Sequence, residues 1–375
     1  MPNGTQEWPA SENSAGVAGI RLRACNPHPK GPLIPSPIAK SGPPCHAPGV
    51  SKPYTRPQLL GVSAALILIW GSAFNFVGVG VDHISPNWLV AWRLCVAAVL
   101  LTVWVYVTNK ALPALTDRRW LWYGGLGLTG AVIPFLLMAY GQLTVDSGLT
   151  AVIVGAMPLI TIVLAHFFTD EKLTLFKVLG FVLGFFGVAI LFLPEDFGVG
   201  LTSDWIPQLV ILAAAFCYAF TTVAAKRAPE TPAVVGSAVM MIVASVAGIG
   251  SAVVLDPGGH VPNLAALVVI VILGLGSTGV ATILYLDFVD RAGPSAMARL
   301  NYFPPVVSVI FGVWFLSEPF TWKLVAAFVV IVLGMAVSRI GGPRSEVPSG
   351  QRKDSTGRVA APHPPSASAA ARGRD

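Results

Sequence analysis

The stretches "GAMPLITIVLAHFFTDEKLT" (155–174) and "NYFPPVVSVIFGVWFLSEPFT" (301–321) decide how this chain is built. In each, a proline interrupts an apolar run, a glutamate follows thirteen residues later, and a threonine stands three residues beyond the glutamate. One offset of 147 residues superimposes the two patterns, so the chain contains an internal repeat. The matched pairs are Pro158 with Pro305, Glu171 with Glu318, Thr174 with Thr321 and Gly187 with Gly334.

The composition is that of a membrane protein. The chain has 375 residues, of which 11% are charged and 54% are hydrophobic, whereas a soluble chain is about 25% charged. Residues 1–58 are rich in Pro, Gly and Ser, and residues 341–375 are rich in Pro, Ser, Ala and Arg. Neither segment has enough apolar residues for a core, so both are predicted to be disordered tails.

Residues 59–340 divide into apolar runs of roughly 20 residues, which is the length that an α-helix needs to cross the hydrocarbon core of a bilayer. The loops between the runs are too short for a soluble domain. We therefore predict an all-α integral membrane protein with ten transmembrane helices. The predicted spans are 59–79, 87–107, 120–140, 147–168, 173–193, 206–225, 232–254, 263–286, 294–316 and 320–340.

The repeat divides these spans into a first half, 59–193, and a second half, 206–340, with five spans each. Because five is odd, the second copy enters the bilayer in the opposite orientation to the first. Inverted repeats of this kind are typical of secondary transporters. The sequence therefore predicts two inverted five-helix repeats.

Positive residues in short loops predict sidedness, because cytoplasmic loops carry an excess of Lys and Arg. Loops after the even-numbered spans 2 to 8 hold eight such residues, and loops after the odd-numbered spans hold only Lys323. Both termini are therefore predicted to be cytoplasmic. The positive residues behind the net charge of +6 are explained by the orientation of the spans in the membrane, so no nucleic-acid partner is predicted. The eight residues are Lys110, Arg118, Arg119, Lys172, Lys177, Lys226, Arg227 and Arg291.

The first half also contains "IWGSAFNFVGV" with Trp70, Gly71 and Phe74, then Pro86 at the start of span 2 and Arg93 within it. With the paired Pro and Glu landmarks, these residues make the chain resemble the drug/metabolite transporter superfamily, EamA type, over about 280 residues. The resemblance implies ten helices in two five-helix repeats. It also implies a multi-pass protein of the cell (plasma or inner) membrane that exports amino acids or related metabolites.

Ionised side chains inside spans are candidates for function, since a charge at the centre of a membrane helix costs roughly 2.5–3.5 kcal/mol on insertion scales. The candidates are Arg93, Arg299 and Asp287. Either arginine could instead extend to an interface. Asp287 is expected to pair with Arg291 one helical turn later. The remaining positive charge inside the membrane then favours a substrate that carries a carboxylate.

Polar and aromatic residues at similar depths complete the predicted substrate site. Tyr140, and Tyr285 at the matching position of the second repeat, have a second interpretation as parts of an interfacial aromatic belt. The predicted substrate-binding residues are Trp70, Asn75, Arg93, Tyr140, Gln142, Thr222, Arg299, Asn301 and Tyr302.

Prolines inside apolar runs predict distorted helices, because proline lacks an N–H and clashes with the carbonyl of the preceding turn. Pro158, Pro304 and Pro305 are predicted to kink spans 4 and 9, and Pro134 and the glycine-rich 274–279 to disturb spans 3 and 8. Irregular backbone is tolerated in a membrane where it faces protein or a wet cavity. Spans 3, 4, 8 and 9 are thus expected to line a central cavity, although prolines that merely set packing angles remain an alternative.

Two features receive structural interpretations. Glu171 and Glu318 precede spans 5 and 10, where a carboxylate would cap the amino terminus of the following helix. Gly180, Gly184 and Gly187 form a small-residue face on span 5 that lets another helix approach closely. This face indicates packing within the fold, and a homodimer is not indicated.

These observations favour a secondary transporter that lies in the lipid bilayer and moves a small carboxylate-bearing metabolite. No P-loop, no cofactor and no metal site is predicted. The alternatives are a multidrug or cation exporter and a membrane scaffold without transport. A membrane-embedded enzyme is disfavoured because three of the six histidines lie in the tails, at His28, His46 and His363.

Overall fold

The computed structural model describes residues 54–169, 173–191, 205–258, 261–293, 296–297 and 300–340. All regular secondary structure in these ranges is helical, which confirms the predicted all-α class. Eight helical spans are long and apolar enough to cross a membrane, and two shorter apolar helices, Leu175–Leu191 and Pro304–Phe315, complete the predicted ten. The predicted tails lie outside the described residues, apart from the few at the start of the first helix.

The helices follow the predicted spans closely. Spans 1 and 2 are single helices, and spans 3, 4 and 8 each contain two α-helices. In span 9 the described residues Ala296, Met297 and Leu300 are also helical, ahead of the helix Pro304–Phe315. The helices are α1 Arg56–Val81, α2 Pro86–Val107, α3 Arg119–Gly127, α4 Ile133–Gly141, α5 Ser147–Val154, α6 Met157–Phe168, α7 Leu175–Leu191, α8 Trp205–Ala225, α9 Ala233–Leu255, α10 Leu264–Val271, α11 Ala281–Ala292, α12 Pro304–Phe315 and α13 Trp322–Ile340.

The mid-span prolines lie at helix starts and not at kinks inside continuous helices. A turn at Gly155 and Ala156 separates α5 from α6, and Pro158 occupies the first turn of α6. Pro304 and Pro305 likewise occupy the first turn of α12. In the first turn of a helix the missing N–H would have no intrahelical partner in any case, so proline is tolerated there. Each span is thus broken where the sequence predicted a bend.

Spans 3 and 8 are distorted in a different way. Residues Leu128–Val132, just ahead of Pro134, and Ile272–Val280, which contains the glycine-rich segment, are π-helical. A π-helix has i→i+5 hydrogen bonds and is frequently found at functional sites. The predicted disturbance of these two spans is therefore present as wider helical turns, one in each repeat.

Spans 5 and 10 pack against each other through glycines. A Cβ added at Gly180 would contact the Gly334 carbonyl oxygen, and one added at Gly187 would lie 2.9 Å from the Ala327 carbonyl oxygen. Gly184 has no room for a side chain because Leu159 fills that space. The small-residue face of span 5 is used inside the fold, as the sequence indicated.

The bundle has two ends, which we name by the chain. The tail end is where α1 begins and α13 ends, and the far end is the opposite one. At the tail end the Tyr123 hydroxyl donates to the Pro229 carbonyl at 3.1 Å. At the far end the Ser85 hydroxyl donates to the Asp256 carboxylate at 2.5 Å. Both bonds join the first half of the chain to the second.

Candidate functional site

A cavity of about 430 Å³ lies between the two repeats. Spans 1, 2, 3, 4, 6, 7, 8 and 9 contribute to its wall, while α7 and α13 contribute none of the described lining. The distorted spans 3, 4, 8 and 9 are thus all part of the wall. The lining residues are Trp70, Ala73, Phe74, Val77, Arg93, Gly130, Phe135, Met138, Gln142, Ala151, Val154, Gly155, Met157, Pro158, Tyr218, Ser237, Met240, Met241, Ser277, Thr278, Thr282, Tyr285, Leu286, Asn301, Pro304 and Pro305.

Arg93 is held inside this cavity and does not extend to an interface. The residue is 6% exposed, and its Nε donates to the Thr278 hydroxyl at 2.9 Å. An Nη–H donates to the Ser277 hydroxyl at 3.4 Å, and the guanidinium carbon lies 3.8 Å from the centroid of the Phe135 ring. Spans 2, 3 and 8 together therefore fix the orientation of one cation.

Gly274 allows span 2 to come this close to the π-helical part of span 8. A Cβ at Gly274 would lie 2.6 Å from Val96 Cβ and 3.0 Å from the Arg93 carbonyl oxygen. Both distances are too short for a side chain at that position. The glycine-rich segment thus brings the Ser277 and Thr278 hydroxyls to the guanidinium.

Arg93 has no acidic partner among the described residues that line the cavity. Of the described lining residues it is the one that carries a full charge, and no Asp or Glu is present among them. A guanidinium offers five N–H donors in a planar fork that matches a carboxylate, and its hydroxyl and aromatic contacts leave its charge uncompensated. The site is therefore chemically suited to bind an anion. Among the described residues there is also no group of three or more His, Cys, Asp or Glu that could hold a metal ion.

The rest of the cavity wall is mostly apolar. Trp70 and Tyr285, from the two repeats, lie with ring centroids 6.0 Å apart. Phe135 and Tyr218 meet edge to face with centroids 6.5 Å apart. Four of the seven methionines of the chain also line the cavity: Met138, Met157, Met240 and Met241.

The structure brings four of the predicted binding residues to this cavity together with the three prolines predicted to distort the helices. They are Trp70, Arg93, Gln142 and Asn301, with Pro158, Pro304 and Pro305. Tyr285, for which the sequence favoured the interfacial belt over the site, also lines the cavity. Arg299 lies outside the described residues.

The remaining predicted residues lie elsewhere. Asn75 donates to Ser147 Oγ at 2.6 Å, and Tyr140 accepts a hydrogen bond from Asn87 at 2.7 Å. The hydroxyl of Thr222 donates to the backbone carbonyl one turn earlier, and its side chain is not part of the lining. Tyr302 lies beneath the Arg339 guanidinium, 5.0 Å from its carbon.

Glu318 caps a different helix from the expected one. Its carboxylate accepts hydrogen bonds from Ser147 N at 2.8 Å, Ser147 Oγ at 2.6 Å and Gly148 N at 3.1 Å. It therefore caps α5 of the first repeat and not α13, which follows it in sequence. Asp146, the N-cap residue of α5, makes no capping bond with its own side chain, so the amide donors are open to a carboxylate from outside. Glu171 lies outside the described residues.

The far end is closed around this carboxylate. A Cβ at Gly312 would overlap the Glu318 carboxylate, so glycine is required for it to reach α5. The Ser308 hydroxyl donates to the Ser147 carbonyl at 3.2 Å, which adds a second contact between the repeats. Burial, and then the negative charge of Glu318, raise the pKa of the nearby Asp146 carboxyl. We call Glu318, Ser147, Gly148 and Ser308 the far-end lock.

Buried side-chain atoms without a hydrogen-bond partner are concentrated at the same end. In the described part of the chain they belong to four residues, all in the far-end parts of spans 1, 2, 3 and 6. An unpaired buried polar group costs about 1–3 kcal/mol, so these atoms would gain free energy from contact with water or a ligand. The atoms are Asn75 Oδ1, Asn87 Oδ1, Gln142 Nε2 and Oε1, and Gln208 Oε1.

The tail end has a smaller cluster. Arg291 Nε donates to Asp287 at 2.8 Å, which is the predicted i,i+4 pair, and the Tyr54 hydroxyl donates to the same carboxylate at 2.5 Å. Burial, followed by the hydrogen bond to Asp287 and the charge of Asp287, raises the pKa of Tyr54 to about 12. The hydroxyl thus remains a donor at physiological pH and joins the start of span 1 to the end of span 8.

Sequence reasoning missed several lining residues. Ser277 and Thr278 belong to the glycine-rich segment 274–279, whose glycines alone entered the prediction. Two hydroxyl side chains between glycines in a membrane span are a usable signal for polar groups that face a cavity. Met240 and Met241 lie in α9, Ala233–Leu255, which has no charge and no proline. Nothing in that run distinguishes the face that meets the cavity from the face that meets lipid.

The fold and the cavity between inverted repeats define a multi-pass membrane transporter. The profile of the EamA-like transporter family matches the chain twice, over residues 58–193 and 205–340. The chain belongs to the EamA-like transporter family.

Individual relatives agree with this assignment. The uncharacterized transporter YoaV of Bacillus subtilis (strain 168) is 26% identical over 302 residues, which cover 77% of this chain and 99% of the relative. The uncharacterized inner membrane transporter YedA of Escherichia coli (strain K12) is 25% identical over 292 residues, or 76% and 91% of the two chains. A solved crystal structure at 20% identity shares the fold with a TM-score of 0.56, covering 76% of this chain and 97% of the other.

Proposed function

We propose that this protein is a secondary transporter that exports a small carboxylate-bearing metabolite, an amino acid or a related acid, by alternating access. It would reside in the cell (plasma or inner) membrane with both termini in the cytoplasm, and it would use an ion or substrate gradient with no bound cofactor. The observation that carries the proposal is a buried arginine, Arg93, without an acidic partner among the described residues of a cavity between inverted repeats.

The exposure of the cavity wall supports alternating access. Lining residues toward the far end are buried, with Val77 at 5% and Gln142 at 7% exposure. Toward the tail end, Tyr285 is 38% exposed and Asn301 is also exposed. These exposures support a state that is closed at the far end and more open at the tail end, which would be the cytoplasmic side in the proposed orientation.

The contacts at the far end also allow a second conformation, which is open at that end. The far-end lock holds the two repeats together, while the unpaired atoms of Asn75, Asn87 and Gln142 oppose closure. Opening would break the three hydrogen bonds of Glu318 and at the same time hydrate these atoms. The loss of the Glu318 hydrogen bonds and the gain from hydrating the unpaired atoms are free energies of opposite sign and similar size. The two conformations can therefore differ by only a few kcal/mol, and a transport cycle requires such a small difference.

The preference for a carboxylate follows from Arg93. Hydrogen bonds to charged groups contribute about 1.5–3 kcal/mol each, and 1.4 kcal/mol changes an equilibrium constant tenfold. Thr278 accepts from Arg93 through its hydroxyl oxygen and has its own proton left to donate to a substrate oxygen. Arg93 and Thr278 can therefore both donate to one carboxylate.

Counterflow in proteoliposomes tests this function. We expect purified wild-type protein to exchange radiolabelled carboxylates, and Arg93→Gln to lose at least tenfold in apparent affinity because the fork is removed. Arg119→Gln serves as the control, since Arg119 lies at the start of span 3 and pairs with Asp117 at 3.5 Å. Cation exchange that survives Arg93→Gln, with no carboxylate moved by the wild type, would indicate a multidrug exporter. Binding without exchange would indicate a scaffold.

A further inference from the structure

We propose that the cavity selects bulky apolar monocarboxylates and has no subsite for an ammonium group, so that deaminated acids bind more tightly than the corresponding amino acids. This inference rests on the proposed function, because it assumes that a carboxylate binds at Arg93. It adds the chemistry of the rest of the ligand, which Arg93 alone does not determine.

The first step is the balance of charge. An ammonium buried in a low-dielectric cavity without a carboxylate keeps an uncompensated charge, and the carbonyl dipoles at the helix breaks replace only part of its hydration. The described lining has no carboxylate. Asp287 is engaged at the tail end by Tyr54 and Arg291, and Glu318 is engaged in the far-end lock. A zwitterion would therefore place its positive end where no described acidic group can reach it.

The second step is the number of cations. A dicarboxylate would need two positive partners, and the described lining provides Arg93 alone. Its second carboxylate would face Met and aromatic side chains. The single cation of the described lining therefore suits a ligand with one carboxylate, located at one side of the molecule.

The third step is the apolar wall. Met138, Met157, Met240 and Met241 are flexible, polarizable side chains that adapt to irregular apolar shapes. The Arg93 guanidinium carbon lies over the Phe135 ring, 3.8 Å from its centroid, so apolar surface begins directly beside the anion site. A volume of about 430 Å³ lies within the range of small-molecule pockets. The wall thus suits a large aliphatic or aromatic group attached to the carboxylate.

Isothermal titration of the purified full chain in detergent at neutral pH gives a direct test with three probes of matched chemistry. They are 3-phenylpropanoate, phenylalanine, which adds an ammonium group, and glutarate, which replaces the ring with a carboxymethyl group and so adds a second carboxylate. We expect 3-phenylpropanoate to bind at least tenfold more tightly than either of the others. Phenylalanine or glutarate binding as tightly as 3-phenylpropanoate would overturn the inference.

Variants of one wall residue test the apolar part. Met240→Gln keeps the length of the side chain and makes it polar, so the preference for 3-phenylpropanoate over glutarate should fall several-fold. Met240→Leu stays apolar and should retain the preference. Should Met240→Gln not be recovered in a folded form, Met157→Gln offers the same change on span 4. An unchanged preference in the Gln variant would contradict the role of the methionines.

Failure of the inference is distinguishable from failure of the proposed function. Tight phenylalanine binding that is lost in Arg93→Gln leaves the carboxylate transporter intact and removes only the preference against ammonium. Absence of binding by all three probes, together with transport that is insensitive to Arg93→Gln, removes the proposed function itself.

Discussion

At the scale of single residues, the behaviour of Glu318 shows how one charge can connect two repeats. A carboxylate next to a helix start was predicted to cap its own helix, yet Glu318 reaches Ser147 and Gly148 of the other repeat. The amide groups at a helix amino terminus attract any nearby anion, and the loop between α12 and α13 ends beside α5. Local sequence signals a cap, and the packing of the two repeats decides which helix receives it.

We expect Glu318→Gln to weaken closure of the far end. The amide keeps the size of the side chain and loses its charge, and bonds to charged groups contribute about 1.5–3 kcal/mol. Val77→Cys, at a buried lining position, should then react faster with an impermeant thiol reagent, by roughly tenfold, in a background without the four native cysteines. Glu230→Gln, in the loop before α9, provides the control. Equal reaction rates in all backgrounds would show that Glu318 does not hold the far end closed.

Gln142→Leu should act in the opposite direction. Both polar atoms of Gln142 are buried without a partner in the described structure, so replacing them with apolar atoms removes a penalty of about 1–3 kcal/mol. We expect a higher melting temperature in detergent, slower labelling of Val77→Cys and slower transport. A lower melting temperature would mean that Gln142 is satisfied in the folded protein, for instance by an ordered water.

At the scale of helices, the irregular elements lie around the cavity and the regular ones support it from outside. The helix breaks before Pro158 and Pro304 and the two π-helical segments all occur in spans of the cavity wall. Spans 5 and 10 are uninterrupted, and they contact each other through glycines. Broken spans expose carbonyl groups that a cavity can solvate, whereas close packing requires unbroken helices with small residues.

Gly180→Ala tests the packing of spans 5 and 10. The added methyl group would meet the Gly334 carbonyl oxygen, so we expect destabilisation of about 1–3 kcal/mol from overpacking. Gly250→Ala is the matched control, since no atom lies within 4 Å of a Cβ at that position of α9. In a helix interior alanine is favoured over glycine by up to about 1 kcal/mol. Thermal unfolding of both variants in the same detergent measures the difference, and equal stability would contradict the proposed contact.

At the scale of the whole molecule, one arrangement explains the repeat and the cavity. Two five-span halves in opposite orientations place their distorted helices toward each other, and the cavity forms between them. The lock joins the two halves at the far end. The orientation of these ends relative to the cell remains a prediction from the Lys and Arg distribution.

Cysteine labelling in intact cells tests that orientation. In a background without native cysteines, His83→Cys at the far end should react with an impermeant thiol reagent, because it lies in the loop after span 1. Arg118→Cys, in the loop after span 2, should react only after permeabilisation. The reverse pattern would place both termini outside the cytoplasm and would invert the proposed direction of transport.

The number and length of the spans, the repeat and the places where helices are interrupted were predictable from the sequence. Apolar length, proline and charge act locally, and the bilayer imposes the same requirement on every span. For the same reason the sequence predicted that Arg93 and Trp70 line the cavity. The free-energy cost of burying the Arg93 charge in a membrane span and the size of the Trp70 side chain can both be judged without knowing which residues surround them.

Only the tertiary structure decided which other polar groups meet the cavity. Tyr140 and Tyr285 occupy matching repeat positions, but Tyr140 pairs with Asn87 while Tyr285 lines the cavity. A span that is apolar on all sides has no amphipathic signal, so its rotation is set by the helices packed against it. The sequence alone therefore determined that this chain forms ten spans in two inverted repeats. Packing between the repeats determined the site, because it directs Arg93 toward Thr278 and Glu318 toward Ser147.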